Sequence, residues 1–121
     1  MYEITKDFAF SYSHTLDGLP EGHQCARLHG HNAVVRVHLA AERLDDTGFV
    51  IDYGDLAPLG KWIDATFDHR HLNDVVKFNP TAERLSEFLY GWCEEQGWPV
   101  VAVSWSETPK TWATYRRGGQ Q

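Results

Sequence analysis

Apolar and polar residues alternate from the start of the chain. Tyr2, Ile4, Phe8, Phe10 and Tyr12 fall on one side of an extended backbone, and Glu3, Thr5, Asp7, Ser11 and Ser13 on the other. That period predicts a half-buried strand, with His14 at its end on the apolar side. The next residues, Thr15 to Leu28, carry Gly18, Pro20 and Gly22 and predict a long loop. A second alternation begins at His29. His29, His31, Ala33, Val35, Val37, Leu39 and Ala41 share a face, and Asn32, Arg36, His38 and Glu42 share the opposite one. Antiparallel pairing of the two strands puts the end of the first beside the start of the second. His14, His29 and His31 then meet at one end of the sheet, all on its apolar side.

Residues Arg43 to Gly48 predict a turn, followed by Phe49-Val-Ile-Asp52. Leu56, Leu59, Ile63 and Phe67 recur at helical spacing and predict a helix over about 56–67, with Pro58 in its first turn. The polar run Asp68-His-Arg-His-Leu-Asn73 follows. A second helix is expected to start at Asn79-Pro80, read as an N-cap and a first-position proline. It should bury Leu85, Phe88, Leu89, Trp92 and Cys93 and stop at Gly97 and Pro99. Val100 to Ser106 and Thr111 to Tyr115 predict two closing strands around a turn at Pro109, with a frayed tail from Arg116 to Gln121. The order is ββααββ. It predicts one α+β domain over residues 1–121, a four-stranded antiparallel sheet with two helices on one face.

Composition narrows the partners. The 121 residues carry a formal net charge of -6, which argues against nucleic-acid binding. No apolar run has the length of a membrane span, and Met-Tyr-Glu-Ile-Thr-Lys-Asp does not resemble a signal peptide, so a cytoplasmic protein without membrane contact is expected. Whether the two cysteines, Cys25 and Cys93, pair is left open by the sequence; a reducing compartment favours free thiols.

The chemistry concentrates in Cys25-Ala-Arg-Leu-His29-Gly-His31. Two imidazoles on one strand face, joined by His14, are the beginning of a zinc site. A free fourth position would let zinc polarise a substrate oxygen. Cys25 as a fourth ligand would instead close the site into a structural one, and both readings stand at this point. As a free thiol beside a metal, Cys25 is a candidate base or nucleophile. Cys93, on an apolar helix face, is a packing residue. Asp68-His69 is an acid–imidazole pair, which by itself reads either as a solvated loop pair or as a pair suited to proton transfer. His71 and Asn73 are expected to hold the loop shape, and His23 and His38 to be loop and surface residues. Glu107, at a strand end, suits a planar pair of N–H donors on a heterocycle, and equally a surface position beside the turn.

Together these pieces resemble the 6-pyruvoyl-tetrahydropterin synthase / 6-carboxy-tetrahydropterin synthase family. The resemblance runs through Phe8-Ala-Phe-Ser-Tyr-Ser-His14, Cys25-Ala-Arg-Leu-His-Gly-His31, Gly48-Phe-Val-Ile-Asp52, Phe67-Asp-His-Arg-His-Leu-Asn73, Asn79-Pro-Thr-Ala-Glu83 and Ser106-Glu-Thr-Pro109. It implies zinc on His14, His29 and His31, Cys25 as the base, and Asp68 with His69 as its acid/base partners. It implies that Glu107 anchors a pterin ring and that Thr81 adds a ring contact. It also implies the tunnelling fold, in which sheet edges join into a trimeric barrel and two trimers stack into a homohexamer with sites at subunit interfaces. The gap Ala26-Arg27-Leu28 before His-Gly-His resembles the carboxy-forming branch of 7-deazaguanine (queuosine) biosynthesis. That branch converts 7,8-dihydroneopterin triphosphate to 6-carboxy-5,6,7,8-tetrahydropterin with loss of acetaldehyde and triphosphate. The nearer alternative is 6-pyruvoyl formation, and the more distant one a non-catalytic zinc- or pterin-binding assembly. Arg27, Lys77 and Lys110 are candidates for holding the triphosphate. Tyr12-Ser13 stands where the family usually has small alanines and Ala33 where an aromatic is common, and both are expected to reshape the pocket wall.

Overall fold

The computed structural model describes residues 1–118. Strands β1 (Tyr2–His14) and β2 (His29–Ala41) pair antiparallel along their whole length, from Tyr2 opposite Ala41 to His14 opposite His29. Helix α1 (Ala57–Thr66) follows a 3-10 turn at Tyr53–Leu56, then come strand β3 (Arg70–His71) and helix α2 (Ala82–Glu95). Strands β4 (Val100–Thr108) and β5 (Thr111–Arg116) close the chain. The sheet order is β3-β1-β2-β4-β5.

The sheet therefore has five strands and is mixed, where four antiparallel strands were expected. The added strand, β3, runs parallel to β1, with Arg70 beside Tyr12 and His71 beside Ser13. Two residues are too few to show a period, and neither is apolar, so nothing in the hydrophobic pattern marks them. Backbone bonding holds the segment instead, including His69 N–H donating to Ser11 C=O at 2.6 Å.

Both helices cover the apolar side of the sheet, and one core results. Leu59 and Ile63 of α1, and Leu85, Leu89 and Cys93 of α2, pack over Phe10, Val35, Val37, Leu39 and Val103. Trp105 sits fully buried at the centre, edge-on to Phe10 at 5.3 Å and to Tyr12 at 5.7 Å between ring centroids. α1 comes close to β1 because Gly60 has no side chain: a Cβ there would lie 3.3 Å from the Phe8 ring.

The start of α2 also differs from expectation. Thr81, not Asn79, is the N-cap, its hydroxyl accepting Arg84 N–H at 3.2 Å. Asn79 is committed to the Asp17 backbone, and its C=O accepts Thr81 N–H at 2.8 Å, which places Pro80 in a tight turn ahead of the cap. Phe88, expected inside, is 41% exposed at the margin of the core, its ring beside Trp62, Phe67 and Phe78. β4 and β5 run slightly longer than expected, so Arg116 is a strand residue, and residues 119–121 of the expected frayed tail lie outside the described residues. Cys25 and Cys93 are both free, and burial pushes the Cys93 thiol up to about 12. No helix among the described residues is long and apolar enough to cross a membrane.

Candidate metal and substrate site

The β1–β2 register assembles the centre. His14 lies opposite His29 and Tyr12 opposite His31, and side-chain parity turns all of these toward the helices. The three imidazole rings stand 4.5, 5.0 and 4.9 Å apart by centroid, and each offers a ligating nitrogen within 4.8 Å of the other two.

Two backbone carbonyls fix the tautomers. His14 Nδ1–H donates to Pro80 C=O at 2.9 Å, and His29 Nδ1–H donates to Arg27 C=O at 2.6 Å. A neutral imidazole protonated on Nδ1 carries a lone pair on Nε2. The two Nε2 atoms face each other at 2.9 Å, so two lone pairs converge with no proton assigned between them. A shared cation would relieve that repulsion, and imidazoles oriented by their other nitrogen are the usual donors to a metal ion. The donor set fits a metal. Burial of His14, its largest influence, lowers its pKa and keeps its ring neutral, although the Pro80 bond and the Glu107 carboxylate pull the other way.

Two asparagine side chains clamp the chain leaving β1. Asn73 Oδ1 accepts Thr15 N–H and its Nδ2 donates to Thr15 C=O, both at 2.9 Å. Asn79 holds Asp17 in the same way, at 2.9 and 3.1 Å. Of these, Asn73 is legible as a loop-holding residue; the equivalent role of Asn79 is hidden by its resemblance to a helix cap.

Beside the histidines lies a cavity of about 380 Å³, of a size suited to a small ligand. His14, His29, His31, Cys25, Glu107 and Thr108 are among its walls. Cys25 sits on a 3-10 turn, Gln24–Ala26, capped by His23 Nδ1, which accepts Cys25 N–H at 3.0 Å. Its sulfur does not join the nitrogen cluster, so among the described residues the three-histidine, one-cysteine closed site does not form. Glu107 enters from the end of β4. Its Oε2 lies 3.3 Å from His14 Nε2 and 3.4 Å from His31 Nε2. The same oxygen accepts the Tyr12 hydroxyl at 2.6 Å, and that hydroxyl accepts Trp105 Nε1–H at 3.1 Å. Burial first, and Glu107 second, raise the Tyr12 pKa, so the phenol remains a donor.

The remaining expected residues stand apart from this cavity. Asp68 Oδ1 accepts Ser11 N–H at 3.0 Å and lies 2.9 Å from His69 Nδ1. The Ser11 bond, followed by the His69 bond, holds the Asp68 carboxyl below the usual range. The His69 side chain is 80% exposed, and its backbone takes a φ of 58°, a left-handed conformation that costs a non-glycine residue energy. The pair therefore flanks β3 at the rim of the sheet. Thr81 caps α2 and lines a separate groove with Thr114 and Tyr115. Arg27, Lys77 and Lys110 are exposed. His71 accepts or donates at Ser13 Oγ over 3.0 Å, and His38 joins Glu3 to Ser104 on the polar face of the sheet.

Known proteins share this arrangement of chain. A family profile described as 6-pyruvoyl tetrahydropterin synthase matches residues 3–118. A 6-carboxy-5,6,7,8-tetrahydropterin synthase of Synechocystis is 37% identical over 95% of this chain and 93% of its own. One of Bacillus subtilis is 30% identical over 98% of this chain and 88% of its own. The solved 6-pyruvoyl tetrahydropterin synthase of Caenorhabditis elegans superposes with a TM-score of 0.82 at 26% identity, covering 95% of this chain and 94% of that one.

Proposed function

The chain belongs to the 6-pyruvoyl tetrahydropterin synthase family, and from that premise we propose that it is a zinc-dependent 6-carboxy-5,6,7,8-tetrahydropterin synthase. Its substrate is 7,8-dihydroneopterin triphosphate, and water is consumed as triphosphate and acetaldehyde leave. The observation that carries this reading is the convergence of paired Nε2 lone pairs in a cavity that also holds a free thiol and a carboxylate. The relatives named for the carboxy product, and the three-residue gap between Cys25 and His29, favour that product over the 6-pyruvoyl one.

In this reading His14, His29 and His31 hold the zinc, which when bound supplies Lewis-acid polarisation of the side-chain oxygens. Glu107 accepts the ring-edge N–H groups and fixes which end of the pterin points inward. Cys25, on the wall beside the histidines, removes the proton from the side-chain carbon next to the ring. His69, oriented by Asp68, returns protons. In one chain that pair lies outside the cavity, so it must serve the cavity of a neighbouring copy. Thr81, also outside, likewise reaches a pterin only across a subunit boundary. The unpaired outer edges of β3 and β5 supply surfaces for such joining, as the proposed homohexamer of two stacked trimers requires.

The test is product analysis with the zinc-loaded protein and 7,8-dihydroneopterin triphosphate. Acetaldehyde and triphosphate in equal amounts are expected. Triphosphate without acetaldehyde would move the assignment to 6-pyruvoyl synthesis. Cys25→Ala should lower turnover by about 10³-fold with zinc content unchanged.

A further inference from the structure

The geometry points to Tyr12 as a positioning residue: its hydroxyl, braced by Trp105, pins one oxygen of Glu107 so that the other stays turned to the pterin edge. This rests on Glu107 being the pterin anchor.

The Tyr12 ring packs tilted on Phe10 and edge-on to Trp105 and His14. Phenylalanine would fill that space equally well. The hydroxyl is what needs a reason, because a buried hydroxyl is costly unless bonded. Tyr12 is only 4% exposed, and its oxygen stands between two partners. Trp105 Nε1 can only donate, so it takes a lone pair of that oxygen at 3.1 Å. The phenolic proton is thereby directed away from Trp105, to Glu107 Oε2 at 2.6 Å. The three groups form a directed chain from indole to phenol to carboxylate.

That chain decides what Glu107 can do. An ionised carboxylate offers about four lone-pair sites. Tyr12 occupies one of those on Oε2, and Oε1 has no hydrogen bond among the described residues. Oε2 already stands 3.3 and 3.4 Å from His14 and His31 Nε2, so without the phenol nothing keeps the carboxylate from turning both oxygens to a cation held there. A carboxylate that moved there would be a fourth ligand and would be lost to the ring. Tyr12 pins Oε2 against that turn, leaving Oε1 and the second lone pair of Oε2 for two ring N–H groups.

The experiment measures binding of 7,8-dihydroneopterin, which lacks the triphosphate leaving group, to the zinc-loaded protein by calorimetry. Wild type, Tyr12→Phe, Glu107→Ala and the double variant form a cycle, with zinc content recorded for each. Tyr12→Phe should weaken binding about tenfold, the size of a lost bond to a charged group. Glu107→Ala should weaken it at least as much, and Tyr12→Phe should then add nothing, with zinc content equal throughout. An equal loss in both backgrounds would mean that Tyr12 acts by packing, and would overturn the proposal. So would unchanged binding in Tyr12→Phe, or loss of zinc from it. Unchanged binding in Glu107→Ala would instead remove the anchor itself, and the proposal with it. If Tyr12→Phe does not fold because Trp105 Nε1–H is orphaned, the pair Tyr12→Phe/Trp105→Phe, which removes both polar groups, is measured in its place with the same expected outcomes.

Discussion

Single side chains here act mainly by fixing backbone. Asn73 and Asn79 each bond both the N–H and the C=O of one loop residue, Thr15 and Asp17, just after the first candidate ligand. Replacing Asn73 with alanine removes two bonds at a half-buried site, so a loss of about 1–3 kcal/mol in stability is expected from chemical denaturation. Because the bond lies one residue from His14, zinc affinity should fall as well, by about 10-fold in a chelator competition. Asp68 provides a pH test. Its folded pKa is depressed below the ordinary 3.8, mainly by Ser11 N–H. The stabilisation is therefore present above the unfolded value and lost as pH falls through the lower folded one. Asp68→Asn keeps an acceptor for Ser11 but no charge. The stability gap between wild type and Asp68→Asn should shrink on acidification below about pH 3.8. The Tyr12–Glu107 bond joins residues 95 positions apart. Tyr12 is visible in the sequence only as a large residue where small ones are usual; its partner is set by the β2–β4 pairing, which no local pattern encodes.

Among the elements, the long strands were legible and the short one was not. β1 and β2 start and end where their alternation does, because one face is buried and a slip of one residue would expose all of it. β3 carries no such signal. It exists because the chain leaving α1 turns at Asp68-His69 and docks by backbone bonds. That turn requires φ of 58° at His69. Cβ crowding at such an angle costs about 1 kcal/mol, which glycine avoids. Two variants that both lack the imidazole separate strain from chemistry. His69→Gly should be more stable than His69→Ala by about 1 kcal/mol in urea denaturation, and both should be inactive. Equal stability would show that the turn stores no strain. A non-glycine residue kept in this conformation is consistent with a ring needed for its chemistry rather than for the turn. The N-terminus of α2 was legible only to within a few residues. Asn79, Pro80 and Thr81 all suit a helix start, and the choice among them depends on Asp17 and His14, which bond the first two from a distant part of the chain.

At the scale of the whole molecule, one chain holds all the proposed groups but not in one place. Cys25 and Glu107 line the cavity with the histidines, whereas Asp68 and His69 flank the outermost strand. If His69 serves the cavity of a second copy, as proposed, a working site needs two chains. Complementation tests this directly. Cys25→Ala and His69→Ala are each expected to be inactive alone. Suppose every working site takes its cavity from one chain and its Asp68-His69 pair from the next. Random reassembly of an equal mixture then joins an intact cavity to an intact pair in about one site in four, the product of two even chances. Activity near a quarter of wild type should therefore appear after the two inactive proteins are dissociated and reassembled together. If each chain worked alone, no mixture would contain an intact site, and activity would stay at the level of the separate variants. Recovery would also require an assembly larger than a monomer, so light scattering of the mixture should report a mass well above the 13.8 kDa of one chain.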